Sequence, residues 1–380
     1  MRKPHSRWLL VLNVVWLSML AHAQAPLAPI MPLADQSLLL DITTSNGRLV
    51  AAGERGHILY SDDKGNTWTQ ASVPTTQMLT AIHFDTSGER GWAVGHDGIV
   101  LRTGDHGANW AKVRDGLAAQ RQQSNTQAKQ ARLEMHRLAA LINEAEQASP
   151  PDETALDALN LALEDARYAL EDAEFALAEP TFASPLLDVW FADTQRGWAV
   201  GAFGTLIATR DGGSSWSNQA TLLDNPDEYH LNAITGDGAG RLLIAGEGGV
   251  LFRSVDAGAS WTALPPIYAG SWFGAVYEPH SAALLVFGLR GNLFRSADFG
   301  DSWERVHTDN SLTLAGGNAS GDGSVVLAGS VGVIVHSSDG GLSFGKTTIE
   351  DRLSLSSALR RDNTIMVVGQ GGIKQVELTP

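Results

Sequence analysis

The chain has 380 residues, of which 42 are acidic and 27 are basic, and its formal net charge at pH 7 is −15. A surface this acidic repels phosphate backbones and anionic lipid headgroups, which argues against a nucleic-acid-binding protein. The sequence contains no cysteine, which excludes disulfide bonds and a thiol-linked lipid from these residues. Stability must therefore come from packing alone.

The first 23 residues predict a cleaved secretory signal. A basic head, MRKPHSR, precedes the 13-residue run WLLVLNVVWLSML and the small-x-small site Ala21-His22-Ala23. A retained anchor is the alternative, but a membrane-spanning helix needs about 20 apolar residues. No other run approaches that length. We therefore expect a periplasmic protein that begins at Gln24 and does not insert directly into the membrane after cleavage.

A glycine-rich pattern returns along most of the chain, for example GEGGVLFRSVDAGASW from Gly246 to Trp261. Six copies carry an aspartate in a turn, which we call an Asp box: Asp63, Asp105, Asp211, Asp256, Asp298 and Asp339. Most of these aspartates lie about 42 residues apart, a period typical of propeller blades. A seventh copy starts at Gly369 without a box. Short strands between Gly and Asp turns favour an all-β fold, and we predict a seven-bladed β-propeller.

The chemistry of the box is that of a turn. The aspartate can accept backbone N–H bonds across the bend, glycine tolerates a positive φ, and the closing aromatic residue packs on the hairpin. We therefore assign the six aspartates a structural role. The seventh repeat has three strand candidates and no outer strand. We expect residues 25–33, APLAPIMPL, to supply the missing strand and close the ring, since prolines suit an outer edge.

The interval from Asp105 to Asp211 is much longer than the others, and residues 115–180 account for the excess. This stretch separates blades one and two, with the closing strand, in residues 24–114 from blades three to seven in residues 181–380. Apolar residues alternate there at spacings of three and four: Ala128, Ala131, Met135, Leu138, Ile142 and Ala145, then Leu156, Leu159, Leu163, Ala166, Leu170, Ala173 and Leu177. The pattern predicts an antiparallel α-helical hairpin with a coiled-coil seam.

Two sets of residues are candidates for binding a protein partner. Leu161, Tyr168 and Phe175 recur every seven residues on the side of the second helix that faces away from the seam. These residues dock a partner, or, as the alternative, Tyr168 and Phe175 simply pack where the hairpin leaves the ring. The second set lies in the Gly-x-x-Gly loops, on the same face of the ring as the hairpin: Arg55, His96, Asp97, Phe203, Glu247 and Arg290. The alternative is that these are solvated loop tips.

The sequence gives little support for catalysis or metal binding at these loops. His96 and Asp97 are adjacent on a tight loop, where side chains tend to diverge, and no metal-binding spacing accompanies them. We expect no metal and no cofactor.

The boxes resemble the Asp-box, or bacterial neuraminidase, repeat. With the second strands GWAVG (residues 91–95 and 197–201) and boxes such as TRDGGSSW, the chain resembles the photosystem II stability/assembly-factor family of propellers. That resemblance implies a non-enzymatic binding scaffold. Relatives in non-photosynthetic proteobacteria are commonly encoded beside RND-type exporters. The resemblance therefore implies an accessory or assembly factor whose partner is a membrane-embedded transporter or its periplasmic domain.

The alternative is a sialidase-like glycoside hydrolase or a glycan-binding propeller. Sialidases use an arginine triad, a tyrosine with a glutamate partner, and an aspartate acid/base, on six blades. The arginines available here, Arg102, Arg253 and Arg295, lie in third strands ahead of the boxes. No carboxylate pair for glycoside hydrolysis can be identified, and we expect no catalytic residue.

Overall fold

The computed structural model describes residues 27–148, 152–178 and 183–378, and the predicted signal peptide, residues 1–23, lies outside this range. The described residues form a propeller-like fold of seven antiparallel sheets and a pair of long helices. Sheets 1 to 6 have four strands each in chain order, and sheet 7 has three. The predicted all-β architecture with an inserted helical hairpin is confirmed at this level.

The strands of sheets 1 to 3 are β1 (Leu39–Ser45), β2 (Arg48–Gly53), β3 (Ile58–Ser61), β4 (Thr69–Gln70), β5 (Leu79–Phe84), β6 (Gly91–Gly95), β7 (Val100–Thr103), β8 (Ala111–Arg114), β9 (Leu186–Phe191), β10 (Gly197–Gly201), β11 (Leu206–Thr209) and β12 (Ser217–Asn218). Those of sheets 4 and 5 are β13 (Leu231–Gly236), β14 (Leu242–Gly246), β15 (Leu251–Ser254), β16 (Thr262–Ala263), β17 (Trp272–Glu278), β18 (Ala283–Gly288), β19 (Leu293–Ser296) and β20 (Glu304–Arg305). Those of sheets 6 and 7 are β21 (Leu314–Ala319), β22 (Val325–Gly329), β23 (Val333–Ser337), β24 (Gly345–Thr348), β25 (Leu355–Arg361), β26 (Thr364–Gly369) and β27 (Gly372–Glu377). The helices are α1 (Gly116–Glu146) and α2 (Glu153–Ala178).

The second strand of most sheets is buried along its whole length. All five residues of β6, GWAVG, are buried, and the same holds for β14 and β22. A strand that is covered on both faces has a continuous run of apolar residues instead of alternating apolar and polar residues. The fourth strands β12, β16 and β20 are short and fully exposed. Burial therefore decreases from the middle of each sheet to its outer edge.

The apolar core is divided among the interfaces between consecutive sheets. In the first interface Val50 and Ile58 of sheet 1 pack with Leu101 of sheet 2. The last sheet meets the first in the same way, because Leu49 belongs to one cluster with Met366 of β26. The inner strands β1 and β25 also contact each other. Sheets 7 and 1 are thus packed as neighbours.

The two kinds of turn lie at opposite ends of the sheets. Leu39, which starts β1, pairs with Gly53, and Ser45, which ends β1, pairs with Arg48. The Gly-x-x-Gly turns consequently lie where the inner strands begin, on what we call the loop face. The Asp boxes follow the third strands at the other end, the box face.

The helical hairpin lies between sheets 2 and 3. Asp115 caps α1 by accepting a hydrogen bond from Ala118 N at 3.2 Å. Gly116 then packs against the turn that contains Asp97, so closely that a Cβ on Gly116 would lie 2.0 Å from the Asp97 carbonyl oxygen. The hairpin therefore leaves the loop face, and at 1.5 Å per residue α1 is about 45 Å long.

The predicted seam holds the two helices together. Ala128, Ala131 and Leu138 of α1 and Ala166 and Ala173 of α2 are the buried seam residues. Arg132 of α1 also forms an ion pair with Glu174 of α2 at 2.5 Å. The coiled-coil character of this seam stays a prediction. Neither helix, nor any other within the described ranges, combines the length and apolar character needed to cross a membrane.

The N-terminal segment does not extend sheet 7, and the predicted closing strand is wrong for residues 27–33. Ala28 N donates to Val73 O at 2.8 Å, so the segment lies beside the outer part of sheet 1. Gln70 of β4 forms two hydrogen bonds with the segment. Its Oε1 accepts from Met31 N at 3.0 Å, and its Nε2 donates to Pro29 O at 2.9 Å. Residues 25 and 26 lie outside the described range.

The composition of the segment explains the difference. Pro29 and Pro32 lack the N–H groups that a regular ladder with β27 requires. Contact with sheet 7 comes from the short turn Ala34–Gln36, where a Cβ on Gly372 would lie 1.9 Å from the Asp35 carbonyl oxygen. Among the described residues sheet 7 keeps three strands.

The interface between sheets 7 and 1 can be tested with matched truncations. Leu49 lies in this interface and Leu101 in the interface of sheets 1 and 2, and both are fully buried. We expect Leu49→Ala and Leu101→Ala each to lower the free energy of unfolding by about 2–5 kcal/mol, measured by urea denaturation. A normal loss for Leu101→Ala with less than about 0.5 kcal/mol for Leu49→Ala would contradict close packing of the first and last sheets.

Candidate partner-binding surface

The apolar stripe on the outer side of α2 is exposed. Leu161, Tyr168 and Phe175 keep 62%, 58% and 69% of their surface accessible. Side chains this exposed do not pack against the sheets, so the alternative role predicted for Tyr168 and Phe175 is wrong in this structure. Three large apolar side chains at heptad spacing on one helix face are a typical docking surface for another helix.

Carboxylates surround this stripe. The Tyr168 hydroxyl donates to Glu164 Oε1 at 3.2 Å. This hydrogen bond and the charge of Glu164, together with those of Glu171 and Asp165, raise the pKa of Tyr168. Tyr168, in the middle of the stripe, therefore lies in a region of negative potential, and a partner with basic side chains beside its apolar residues complements it.

Each Gly-x-x-Gly loop forms a tight turn. The second of the two residues between the glycines has its backbone in the left-handed region. Arg55, Asp97, Phe203 and Arg290 all have φ between 55° and 58°. Gly248 occupies the same position with φ of 65°. The shape of the turn itself requires this conformation, whichever residue stands there. A left-handed residue here is therefore a feature of the fold and no sign of a binding role.

Asp97 belongs to the base of the hairpin. Its Oδ2 accepts a hydrogen bond from Gln77 Nε2 at 2.5 Å, and its carbonyl packs against Gly116. His96 precedes it in the same turn, His96–Gly98. Within the part of the chain that the structure describes, no group of three His, Asp or Glu residues is arranged to hold a metal ion.

Phe203 and Glu247 are brought together by a residue that the sequence did not single out, His230. The backbone N–H of Phe203 donates to His230 Nδ1 at 3.1 Å, and the two rings meet edge to face at 4.9 Å. Glu247 Oε2 accepts from His230 N at 3.2 Å and lies 3.7 Å from Nδ1. Phe203 remains 51% exposed. An exposed aromatic ring beside a carboxylate forms a small patch on the loop face between sheets 3 and 4.

The two loop arginines lie apart from this patch. Arg55 is in the turn of sheet 1 and Arg290 in the turn of sheet 5. Neither forms an ion pair with any residue in the described ranges. The loop candidates thus form several separate positions around the ring instead of one site.

The inner strands enclose a polar cavity of about 310 Å³ whose lining includes Asp41 and Asp188. Each aspartate joins its own sheet to the next one. Asp41 Oδ2 accepts from Ile82 N at 3.0 Å, and Asp188 Oδ2 accepts from Ile234 N at 2.8 Å. Ser357 of sheet 7 donates to Asp41 Oδ1 at 2.9 Å.

Sequence reasoning missed these two aspartates. Their signal was the repeated Leu-Leu-Asp near the start of β1 and β9, which alignment of the repeats would have revealed. Burial in the cavity wall raises the pKa of Asp41 from 3.8 to about 6. Burial, together with the charge of Asp41, raises the pKa of Asp188 to about 7. Both carboxyl groups therefore titrate close to neutral pH.

The Asp boxes are self-contained turns. Asp63 accepts from the hydroxyl and the backbone N–H of Thr67 at 2.6 and 2.8 Å and from the hydroxyl of Ser61 at 2.8 Å. These bonds lower its pKa to about 2. The same arrangement recurs at the other five aspartates. Their carboxylates are occupied by the turn, in agreement with a structural role.

The third-strand arginines do not converge as a sialidase triad must. Arg102, Arg253 and Arg295 each donate to a main-chain carbonyl in the box of the following sheet, at 3.2, 3.2 and 2.9 Å. Three guanidinium groups in three different inter-sheet grooves cannot grip one carboxylate. The geometry therefore opposes a sialidase-like active site.

Comparison with known proteins agrees with this scaffold. The family profile described as "Photosynthesis system II assembly factor YCF48" matches residues 27–131 and 169–267, just over half of the chain. The chain belongs to this family. The matched ranges cover both ends of the hairpin region and omit most of its middle. Both GWAVG strands and the boxes of Asp63, Asp105, Asp211 and Asp256 lie within the matched ranges.

Curated relatives match over short segments. A photosystem II assembly lipoprotein Ycf48 of Synechococcus sp. (strain CC9902) is 41% identical over 85 residues, 22% of this chain and 25% of the relative. The chloroplastic photosystem II stability/assembly factor HCF136 of Arabidopsis thaliana is 32% identical over 94 residues, 22% of each chain. The aligned segments thus span about a quarter of these relatives. Their names describe assembly factors and not enzymes.

Solved structures share the fold over nearly the whole chain. A structure described as YCF48 bound to D1 peptide covers 92% of this chain and 96% of its own, with a TM-score of 0.59 and 15% identity. YCF48 from Cyanidioschyzon merolae gives a TM-score of 0.58, also at 15% identity, over 92% and 97% of the two chains. The WD40 propeller domain of Doa1 gives 0.56 at 11% identity, over 93% and 95%.

The raised pKa of Asp188 predicts a pH dependence of stability. Its pKa in the folded protein lies above the value of 3.8 expected on unfolding, so its contribution is fully present at low pH and is lost as the pH rises through about 7. The free energy of unfolding should therefore fall between about pH 5 and pH 7, by at most about 1.4 kcal/mol per pH unit from this group, and level off above pH 7. Asp188→Asn should flatten this slope, as measured by urea denaturation.

Asp63→Asn is the control for this experiment. The Asp63 carboxylate has a pKa of about 2 and stays ionised throughout the range. The substitution should lower stability without changing the slope. Identical slopes for the wild type and Asp188→Asn would show that Asp188 does not titrate near neutral pH.

Proposed function

We propose that this protein is a non-enzymatic periplasmic binding scaffold. It acts as an accessory or assembly factor for an inner-membrane protein complex such as an RND-type exporter. In this proposal the seven sheets are the blades of a closed propeller, and the partner contacts the helical hairpin and the loop face. The observation that carries the proposal is the exposed stripe of Leu161, Tyr168 and Phe175 on a hairpin that leaves the loop face.

The names of the relatives support a role in assembly. They are called photosystem II assembly factors, and one related structure is described as bound to a D1 peptide. We transfer from them only the general action of holding a protein partner. The transporter as partner rests on the resemblance to proteobacterial relatives.

The proposed location in the periplasm rests on residues 1–23, which have the composition of a secretory signal. One relative is named a lipoprotein, whereas these 380 residues contain no cysteine that could carry a thiol-linked lipid. In our proposal contact with the membrane therefore passes through the protein partner. The acidic ring stays away from anionic lipid while the hairpin reaches a periplasmic domain.

The carboxylates around the stripe indicate the chemistry of the partner. Glu164, Asp165 and Glu171 lie beside Tyr168. A partner helix with apolar residues at heptad spacing and lysine or arginine beside them fits both features. Binding to such a helix weakens as ionic strength rises, because exposed charge pairs are screened.

The stripe can be tested with charged substitutions. We expect Leu161→Glu with Tyr168→Glu to leave the fold intact, because both side chains are exposed, and to abolish recovery of the partner. The measurement is affinity purification from detergent-solubilised inner membranes with quantitative mass spectrometry. Val255→Glu with Leu342→Glu is the matched control, since both residues are more than 60% exposed on the box face. If the wild type, the stripe variant and the control variant recover an inner-membrane protein equally well, the stripe is excluded as the docking surface.

Removal of the hairpin tests whether the sheets fold without it and whether partner binding requires it. The insertion lies in the connector between β8 and β9, and none of its described residues belongs to a sheet. A variant in which a short Gly/Ser linker replaces residues 115–180 should therefore retain the β-sheet circular dichroism spectrum and cooperative unfolding. It should no longer recover the partner. An unfolded product would contradict the independence of the ring, and full recovery would contradict the hairpin as the arm.

A further inference from the structure

The cavity that the inner strands enclose contains acidic groups without a basic one. Its lining includes the carboxyl groups of Asp41 on β1 and Asp188 on β9. The other titratable residues of the lining are His83 and Tyr277. Burial lowers the pKa of His83 to about 4, so its imidazole is neutral at pH 7. No lysine or arginine in the described ranges lines the cavity. When the two aspartates are ionised, the lining therefore supplies no cation to balance them.

The two carboxylates also keep hydrogen-bond acceptor positions. Asp188 Oδ1 accepts from Val189 N at 2.7 Å, and its Oδ2 accepts from Ile234 N. A carboxylate can accept about four hydrogen bonds, two on each oxygen. Among the hydrogen bonds of the described residues, each oxygen of Asp188 accepts one, and Asp41 Oδ2 accepts only that of Ile82 N. An added donor can therefore bind either carboxylate without displacing a backbone N–H group.

Apolar side chains line the end of the cavity at the loop face. Leu40, Leu187 and Phe273 are the second residues of β1, β9 and β17, and we call them the apolar rim. Each aspartate follows one residue further along its strand, away from the loop face. Phe273 keeps 39% of its surface accessible, so the cavity is open to solvent at this end. A ligand that enters from the loop face meets the apolar rim first and the carboxylates beyond it.

A primary ammonium group on an unbranched alkyl chain matches both parts of the cavity. Its methylene groups can lie along the apolar rim while the charged end reaches the aspartates. Its three N–H donors suit acceptors on two separate carboxylates. A divalent metal ion fits less well. Ca²⁺ takes about six to eight oxygen ligands, and no group of three His, Asp or Glu residues in the described part of the chain is arranged to hold a metal ion.

We propose that this cavity binds a primary alkylammonium group, with its carbon chain against the apolar rim and its nitrogen beside Asp41 and Asp188. Such a group comes from a lysine side chain of a protein partner or from a free amine such as an α,ω-diamine. The bound charge offsets the cost of holding two ionised carboxylates in one cavity wall. The site does not involve the hairpin and does not depend on the function proposed above.

Small amines test the site directly. We expect n-pentylammonium to shift the indole N–H resonance of Trp190, which lines the cavity, in a saturable way, with a Kd of roughly 1 mM at pH 8. n-Pentanol lacks the charge and methylammonium lacks most of the carbon chain, so each should bind at least about tenfold more weakly. Equal affinity for n-pentanol and n-pentylammonium, or tighter binding of Ca²⁺ than of n-pentylammonium, would overturn the proposal.

Binding should depend on pH, because the carboxyl groups must be ionised to hold the cation. The pKa of Asp41 is about 6 and that of Asp188 about 7, whereas an alkylammonium stays charged up to about pH 10. The affinity should therefore rise between about pH 5 and pH 7, by up to about tenfold per pH unit for each carboxyl, and level off above pH 7. Calorimetry in buffers of different ionisation enthalpy should detect proton release at pH 6. The same affinity at pH 5 and pH 8 would contradict binding at the two aspartates.

Two further probes distinguish the sources of the amine. Binding of Nα-acetyllysine methylamide within about threefold of n-pentylammonium assigns the site to a lysine side chain of a protein partner. Binding of cadaverine at least about tenfold tighter than that of the lysine derivative assigns it to a free diamine. If neither probe binds, the proposal is wrong.

Three variants assign the response to the cavity. Asp188→Asn should weaken binding of n-pentylammonium at least about tenfold and flatten its pH dependence. Leu187→Lys supplies an ammonium group from the apolar rim, and it should abolish binding and raise Tm at pH 8. Asp227→Asn removes an exposed carboxylate that does not line the cavity, and it should bind as the wild type does. Unchanged binding by Asp188→Asn, or by Leu187→Lys if the former does not fold, would place the probe elsewhere and overturn the proposal.

Discussion

Each sheet of this fold must have both of its faces covered, and only the neighbouring sheets can cover them. The continuous apolar runs of the second strands express this requirement, since β6 and β14 are buried throughout. The short outer strands lie at the rim and are exposed. Stability is therefore distributed over a series of similar interfaces, including the one between sheets 7 and 1. Substitutions and insertions are tolerated at the turns and connectors, because these segments contribute little to the interfaces between sheets.

The loop face and the box face use this freedom differently. On the box face local hydrogen bonds occupy the aspartates, and the pKa of Asp63 falls to about 2 as a result. On the loop face one connector carries a hairpin that touches the ring at the turn containing Asp97. Along α2 of this hairpin, Leu161, Tyr168 and Phe175 are exposed. The hairpin that we propose as the partner-binding arm thus lies outside the apolar core of the sheets.

Polar groups connect the sheets where apolar packing ends. Asp41 and Asp188 bind backbone N–H groups of the next sheet from the central cavity, and several arginines bind main-chain carbonyls of the Asp box in the next sheet. These contacts do not recur in every sheet. Sheets 2, 4 and 5 have Arg102, Arg253 and Arg295 at a strand position where sheet 3 has Ala208.

The sequence by itself determined the seven repeats, the box turns, the two faces and the hairpin. Each of these depends on residues close together in the chain: Gly and Asp at turns, and apolar residues at spacings of three and four. Only the tertiary structure decided where residues 27–33 lie, that His230 joins Phe203 to Glu247, and that Asp41 and Asp188 each bind the backbone of the next sheet. These features are contacts between different strands or different sheets. Ser357 and Asp41, for example, are 316 residues apart in the chain, and no local pattern records such a contact.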